Sequence, residues 1–174
     1  MKHDTYKPTL TTASSMETHP FVVNVTKLLN NPGSRVTFSC VGTIPDLSVT
    51  SSRVLSEQNI SVDAVFESVH SGVLVSSIIK TVWEGECRRC LSAISSDLIL
   101  RTKELFCQDV ALDTADTDYF EAYPLAMDKV DLEPMIRDAI VLNLPAVPLC
   151  NTRCKGLCSV CGTNLNEQMC NCVV

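Results

Sequence analysis

What this 174-residue chain lacks narrows the range of things it can do. No uninterrupted apolar run is longer than about four residues, Ala139 to Leu142 being the longest, against the roughly twenty that a membrane-spanning helix requires. The opening stretch, MKHDTYKPTLTTASSMETHP, has no positive segment followed by an apolar one, so it does not read as a secretory leader. Its Thr, Ser and Pro content predicts a disordered lead-in over residues 1–20. Histidine occurs only at His3, His19 and His70, none with a Glu two positions on, so the H-x-E of zinc deaminases is missing. No internal repeat is evident.

Positive charge is also short. The formal net charge is −6, and it is unevenly placed: residues 104–133 carry nine acids and one base, while the segments before and after are each +1. A chain this acidic does not bind nucleic acid tightly through bulk electrostatics, so any such contact has to be local. With 45% apolar residues, the chain can bury a core without disulfide staples.

What is present, in quantity, is cysteine. Six of the ten lie in the last twenty-five residues, CNTRCKGLCSVCGTNLNEQMCNCVV. In a chain without an export leader, the expected location is the reducing cytoplasm, where clustered cysteines are metal ligands rather than disulfides. Cys87-Arg88-Arg89-Cys90 and Cys158-Ser159-Val160-Cys161 are C-x2-C units, whose spacing lets two sulfurs of a tight turn meet one zinc. Gly162 allows the backbone angles such a turn needs. Cys170-Asn171-Cys172 completes a four-thiolate set with Cys158 and Cys161. Cys87 and Cys90 are two ligands short of the four a structural zinc takes, and Cys150 and Cys154 are left over. The economical arrangement is two Zn2+ sites, Cys87/Cys90/Cys150/Cys154 and Cys158/Cys161/Cys170/Cys172. A rival grouping joins Cys87, Cys90, Cys158 and Cys161. Cys40, in an alternating strand, reads as a small buried residue, and Cys107 as structural.

Along the rest of the chain, residues 21–26 and 35–44 read as strands, and residues 45–59 as a polar loop. SVDAVFESV, with Val62, Ala64 and Phe66 on one face, turns at His70-Ser71-Gly72 and returns as GVLVSSIIKTVWEG, a hairpin. A further strand is expected over 97–106. Residues 107–130 read as an acidic loop. DLEPMIRDAIVLNL reads as an amphipathic helix capped by Asp131, with apolar positions 132, 135, 136, 139, 140 and 144, ended by Pro145 and Pro148. The expected fold is α+β: an antiparallel sheet with one main amphipathic helix over 21–149, followed by a zinc-knuckle tail over 150–174.

Four-thiolate sites leave no open coordination position for water, and nothing reads as catalytic. A redox role for CRRC would place it at a helix N-terminus, whereas here it lies between strand-like runs. Arg88, Arg89, Arg153 and Lys155 cluster around the first proposed site, where they either meet phosphates or offset its charge. Asn164, Asn166 and Gln168 read as shaping the last turn.

Taken together, GECRRCLSAISSDLILRTKELF, DLEPMIRDAIVLNLPAVPLC and CKGLCSVCGTNLNEQMCNC, in that order, resemble the YceD-like family of bacterial and plastid proteins associated with accumulation of large-subunit ribosomal RNA. The resemblance implies a non-enzymatic role in ribosome biogenesis, with 23S rRNA processed or retained. It implies as partner a large-subunit precursor, met through rRNA or a basic ribosomal protein, with no membrane and no small-molecule substrate. A branch of the family keeps positions matching Cys87, Cys90, Cys150 and Cys154 but loses the terminal knuckle, which implies that these four form an independent site. Ser159 stands where the family commonly has proline, and three residues, rather than four, separate Cys150 from Cys154. A thiol-based redox or zinc-responsive regulator is the alternative. A zinc-ribbon module of transcription fits the tail but not the sheet-rich front half.

Overall fold

The structure, a computed structural model, describes residues 19–108 and 122–172. The hairpin expected at the centre of the sequence is also the centre of the fold. Strand β5 (Ile60–Val69) pairs antiparallel with β6 (Gly72–Glu86), with Val62 opposite Ile79 and Phe66 opposite Val75. Alternation does what its period dictates: Val62, Ala64 and Phe66 on β5, and Val73, Val75 and Ile79 on β6, all face one buried side. Gly72 turns the hairpin at φ +145°, a position where a Cβ would collide with the Phe106 carbonyl oxygen.

Strand β7 (Ala93–Cys107) pairs with β6 along almost its whole length, starting four residues earlier than the sequence suggested. On the other edge of β6, β2 (Arg35–Gly42) extends the sheet beyond β5, while β3 (Leu47–Val49) and β4 (Ser52–Val54) pair beside the far end of β6. Beyond β7 come β8 (Tyr123–Ala126), β9 (Lys129–Asp131) and β1 (Val22–Asn24). The β7–β8 contact is parallel, and the other strand pairings are antiparallel. The sheet curls: Gly42 on β2 lies against Pro20 and Phe21, next to β1 at the opposite end of the strand order.

Helix α2 (Glu133–Asn143) fills the concave side with Met135, Ile136 and Ile140, and Leu132 and Leu144 flank it, also buried. The Asp131 carboxylate accepts the Glu133 N–H at 3.0 Å, so it caps from one residue outside the N-cap, which is Leu132. The inward hydroxyls of Ser77 and Thr81 are both paired. Ser77 and Thr102 hydroxyls lie 2.7 Å apart, and Thr102 faces Met135.

Several expectations need correction. Among the described residues, nine strands accompany α2 and the single-turn α1 (Thr26–Leu29), so the fold is dominated by its sheet rather than balanced as α+β. Residues 45–59 are not a plain loop: they contain the β3–β4 hairpin, whose Leu47, Ser52 and Val54 are buried, with the Ser52 hydroxyl donating to the Pro145 carbonyl at 2.8 Å. The acidic stretch expected as a loop over 107–130 lies outside the described residues at 109–121, but its end forms β8 and the start of β9, with Leu125 and Val130 in the core. Of the lead-in expected over 1–20, residues 1–18 lie outside the described residues, and His19 pairs with Glu133 at 3.0 Å.

Candidate metal centres

The eight cysteines of the two proposed sites group as two tetrads, Cys87/Cys90/Cys150/Cys154 and Cys158/Cys161/Cys170/Cys172, with the sulfurs of each set within 4.8 Å of one another. The rival grouping of the two C-x2-C units is not formed.

The first tetrad joins two distant parts of the chain. Cys87 and Cys90 sit in the turn between β6 and β7, and Cys150 and Cys154 follow α2. Pro148 directs the second segment in, its carbonyl accepting the Arg88 N–H at 3.0 Å, while the Arg89 guanidinium donates to the Cys154 carbonyl at 3.0 Å. Cys87, Cys90 and Cys154 are buried and Cys150 is exposed. Sulfur–sulfur distances are 3.7 Å for Cys87–Cys154 and 3.6 Å for Cys90–Cys150. Four sulfurs at tetrahedral corners around a zinc, with Zn–S about 2.3 Å, stand roughly 3.8 Å apart, so the tetrad matches a single ion. The separations are far beyond the roughly 2.05 Å of a disulfide.

The two turns are built alike. Leu91 N–H donates to the Cys87 carbonyl and Gly162 N–H to the Cys158 carbonyl, each at 2.9 Å. Cys87 N–H reaches the Ser92 carbonyl at 2.9 Å and Cys158 N–H the Thr163 carbonyl at 2.8 Å. Gly162 has φ +71°, as its position in the turn suggested, and Leu91 takes the same left-handed place at φ +59°. In both turns the hydroxyl two residues past the second cysteine meets its sulfur: Ser92 at 3.2 Å from Cys90, Thr163 at 3.1 Å from Cys161. CRRCLS and CSVCGT thus share C-x2-C-x-[S/T], a short local repeat not expected from the sequence, where the hydroxyl residues were not weighed. Ser92 and Thr163 belong with the ligand sets on this ground.

These donors polarise the thiols in a consistent direction. The Cys150 backbone N–H, helped by those of Cys90 and Arg89 and opposed by burial, brings Cys87 down to about 6. The Thr163 hydroxyl and N–H bring Cys161 down to about 6. Ser92 lowers Cys90, and the N–H groups of Cys161 and Val160 lower Cys158. The cost falls on the other members. Cys150 is pushed up to about 12, first by the Cys154 thiol and then by burial, and Cys172 to about 12, first by Cys161. Four thiols so close cannot all ionise unless a cation joins them.

Outside the tetrads, Cys40 packs half-buried against the main core, and Cys107 ends β7 half-buried. Arg88, Arg89, Arg153 and Lys155 lie exposed around the first tetrad, Arg89 also holding the Cys154 segment. Asn164 and Asn166 are tied into the tail's own hydrogen bonds, and one of these bonds reaches Cys154.

Residues 75–174 match the family described as "Large ribosomal RNA subunit accumulation protein YceD", a span that holds both tetrads and α2. An uncharacterised protein of Mycobacterium leprae is 31% identical over 149 residues, 84% of this chain and 68% of the relative. One from Mycobacterium tuberculosis (strain H37Rv) is 35% identical over 109 residues, 63% of this chain and 53% of the relative. An Arabidopsis thaliana protein named large ribosomal RNA subunit accumulation protein YCED homolog 1, chloroplastic, is 36% identical over 50 residues, 29% of this chain and 16% of its own length. The chain thus spans about two thirds of the first relative's length and about half of the second's. No solved structure matches. Matched over more than half its length, including all eight clustered cysteines, the chain belongs to the YceD family of large ribosomal RNA subunit accumulation proteins.

Proposed function

We propose that the chain is a non-enzymatic, cytoplasmic factor in biogenesis of the large ribosomal subunit, supporting processing or accumulation of its 23S rRNA, and that each tetrad holds a structural Zn2+. The observation that carries this is the family match over the segment in which both sulfur tetrads lie. Zinc follows from the donors: thiolates select zinc or iron–sulfur clusters, and sulfurs all within 4.8 Å of one another enclose a single ion rather than a cluster. An ion with four protein sulfurs has no vacant position for substrate or water, which supports a structural over a catalytic role.

The partner is a large-subunit precursor, reached through rRNA or through a basic ribosomal protein. Exposed Arg88, Arg153 and Lys155 support a local phosphate contact. The acids of 104–133 suit a basic protein, though Asp109, Asp113, Asp116, Asp118 and Glu121 lie outside the described residues. Sedimentation of native lysate through a sucrose gradient tests the reading. The protein should co-migrate with large-subunit precursors, and Cys87→Ser or Cys158→Ser should release it; confinement to the light fractions of the gradient overturns the proposal. Cys161, exposed and with its thiol lowered to about 6, favours the alternative of a redox or zinc-responsive regulator. That alternative requires rapid alkylation of the zinc-loaded protein.

A further inference from the structure

The two tetrads are joined by one side chain. Asn166 lies between Cys161 and Cys170, so by sequence it belongs to the second set. Its Oδ1 accepts the Lys155 N–H at 2.8 Å, and its Nδ2 donates to Asn164 Oδ1 at 2.8 Å and to Cys154 Sγ, in the first set, at 3.3 Å. The amide's orientation is dictated by these partners. A backbone N–H only donates, so the atom facing Lys155 is the oxygen and the atom facing sulfur is the NH2. Asn164 is fixed in turn: its Oδ1 also accepts the Asn166 N–H at 3.1 Å and its Nδ2 donates to Glu167 at 2.7 Å.

An N–H donated to a metal-bound thiolate withdraws charge from the sulfur and fixes its direction. The position of this donor depends on the other tetrad. The loop that carries it is held at both ends by Cys161 and Cys170. Between them it is tied back by Leu165 N–H to the Gly156 carbonyl at 2.9 Å and by Cys158 N–H to the Thr163 carbonyl at 2.8 Å. Without a cation nothing joins the four sulfurs of the second set, and the loop loses the tie at its ends.

We infer that Asn166 couples the two centres: metal at Cys158/Cys161/Cys170/Cys172 strengthens metal binding at Cys87/Cys90/Cys150/Cys154, and by linkage the converse holds. The inference rests on the reading of both tetrads as zinc centres. Its rival is that Asn166 does no more than shape its turn. Asn166→Asp separates the two, because it keeps an oxygen for the Lys155 N–H but turns a second oxygen, instead of an N–H, toward Cys154.

The test is a chelator titration of the zinc-loaded full chain, with occupancy followed site by site from cysteine 13Cβ resonances. It is run in two backgrounds: intact, and Cys161→Ser/Cys172→Ser, which lacks the second centre. In the intact background Asn166→Asp should weaken the first centre about tenfold or more, the range for outer partners of metal ligands. In the background without the second centre the first is already weakened by a similar factor, and Asn166→Asp adds less than about twofold. Two zincs with no effect of Asn166→Asp in the intact background overturn the coupling and leave the turn-shaping role. Equal losses in both backgrounds also overturn it, since Asn166 would then act on Cys154 independently of the second centre. A chain that binds no zinc overturns the reading of the tetrads, and the coupling with it.

Discussion

Replacing Cys150 by serine removes one sulfur from the tetrad that ties the β6–β7 turn to the segment after α2. Cys90 and Cys150 are 60 residues apart, and the chain between them contains β7, β8, β9 and α2. By the chain-entropy relation for cross-links, closing a loop of that length is worth about 4 kcal/mol. For a chain of this size each kcal/mol moves the melting temperature by about 2–4 °C, so the expected drop is roughly 8–16 °C. Cys161→Ser is the control. The second tetrad closes a short loop within the tail, and none of its sulfurs belongs to either buried apolar cluster. Its loss should therefore loosen the tail while the sheet melts within about 3 °C of the parent, a shift below about 1–2 kcal/mol. The assay is thermal unfolding by fluorescence of Trp83, the chain's one tryptophan, on β6 and packed against the main core. Zinc is kept in excess so that a weakened first centre stays filled in the control. A drop for Cys150→Ser no larger than that for Cys161→Ser would refute the staple argument.

Zinc binding should release protons in a defined direction. Cys150 and Cys172, each raised to about 12, hold their protons at pH 8 in the metal-free chain and must give them up to bind. Each centre should therefore release at least one proton at pH 8, and its affinity should fall about tenfold for each unit by which the pH is lowered; a zinc titration in weak buffer with a pH indicator that shows no acidification contradicts this. Gly72→Ala sets a Cβ against the Phe106 carbonyl at φ +145°, so urea unfolding should show a loss of about 3 kcal/mol. A loss under about 1 kcal/mol would mean that the β5–β6 turn relaxes freely.

The parts of this fold that were legible in the sequence carry their own reason to form. β5 and β6 alternate over ten and fifteen residues and meet at a glycine, and α2 has an apolar stripe, an acid before its first turn and prolines after its last. Counting sulfurs against a four-coordinate ion made the observed grouping the economical one, and the geometry separated it from the rival pairing of the two C-x2-C units. What was missed is held by something far away in sequence. β9 is three residues long and pairs with β1, with Val22 opposite Asp131. The β3–β4 hairpin is mostly polar, and it is anchored by Ser52 on Pro145 and by Leu47 and Val54 in the core. Strands this short are stabilised by their neighbours rather than by their own pattern. At the metal centres the same limit applies. Ser92 and Thr163 had a local signal, the shared C-x2-C-x-[S/T], but the contact of Asn166 with Cys154 spans twelve residues and two turns, and no spacing rule announces it.

β6 and β7 continue past the core that α2 covers, and their far ends need something to bury against. The apolar cluster there is small: Cys87, Cys90 and Cys154, with Ile94, Leu149 and Leu157 packed around them. A cluster of this size cannot hold the far ends of two fifteen-residue strands by hydrophobic burial alone; an ion bound by the first tetrad would take the place a second apolar layer would fill at this end of the sheet. The basic residues follow from the same arrangement. Two zincs with eight thiolates would take the chain from −6 to about −10, and Arg88, Arg89, Arg153 and Lys155, around the first tetrad, would offset part of that charge. Arg89 also holds the Cys154 carbonyl, which leaves Arg88, Arg153 and Lys155 free to face a partner. Arg88 comes from the β6–β7 turn, Arg153 and Lys155 from beyond α2, and it is the first tetrad that brings these segments together. Loss of metal there would scatter the cluster while the sheet, on its own core, stayed folded, so partner binding should fail well before the fold does.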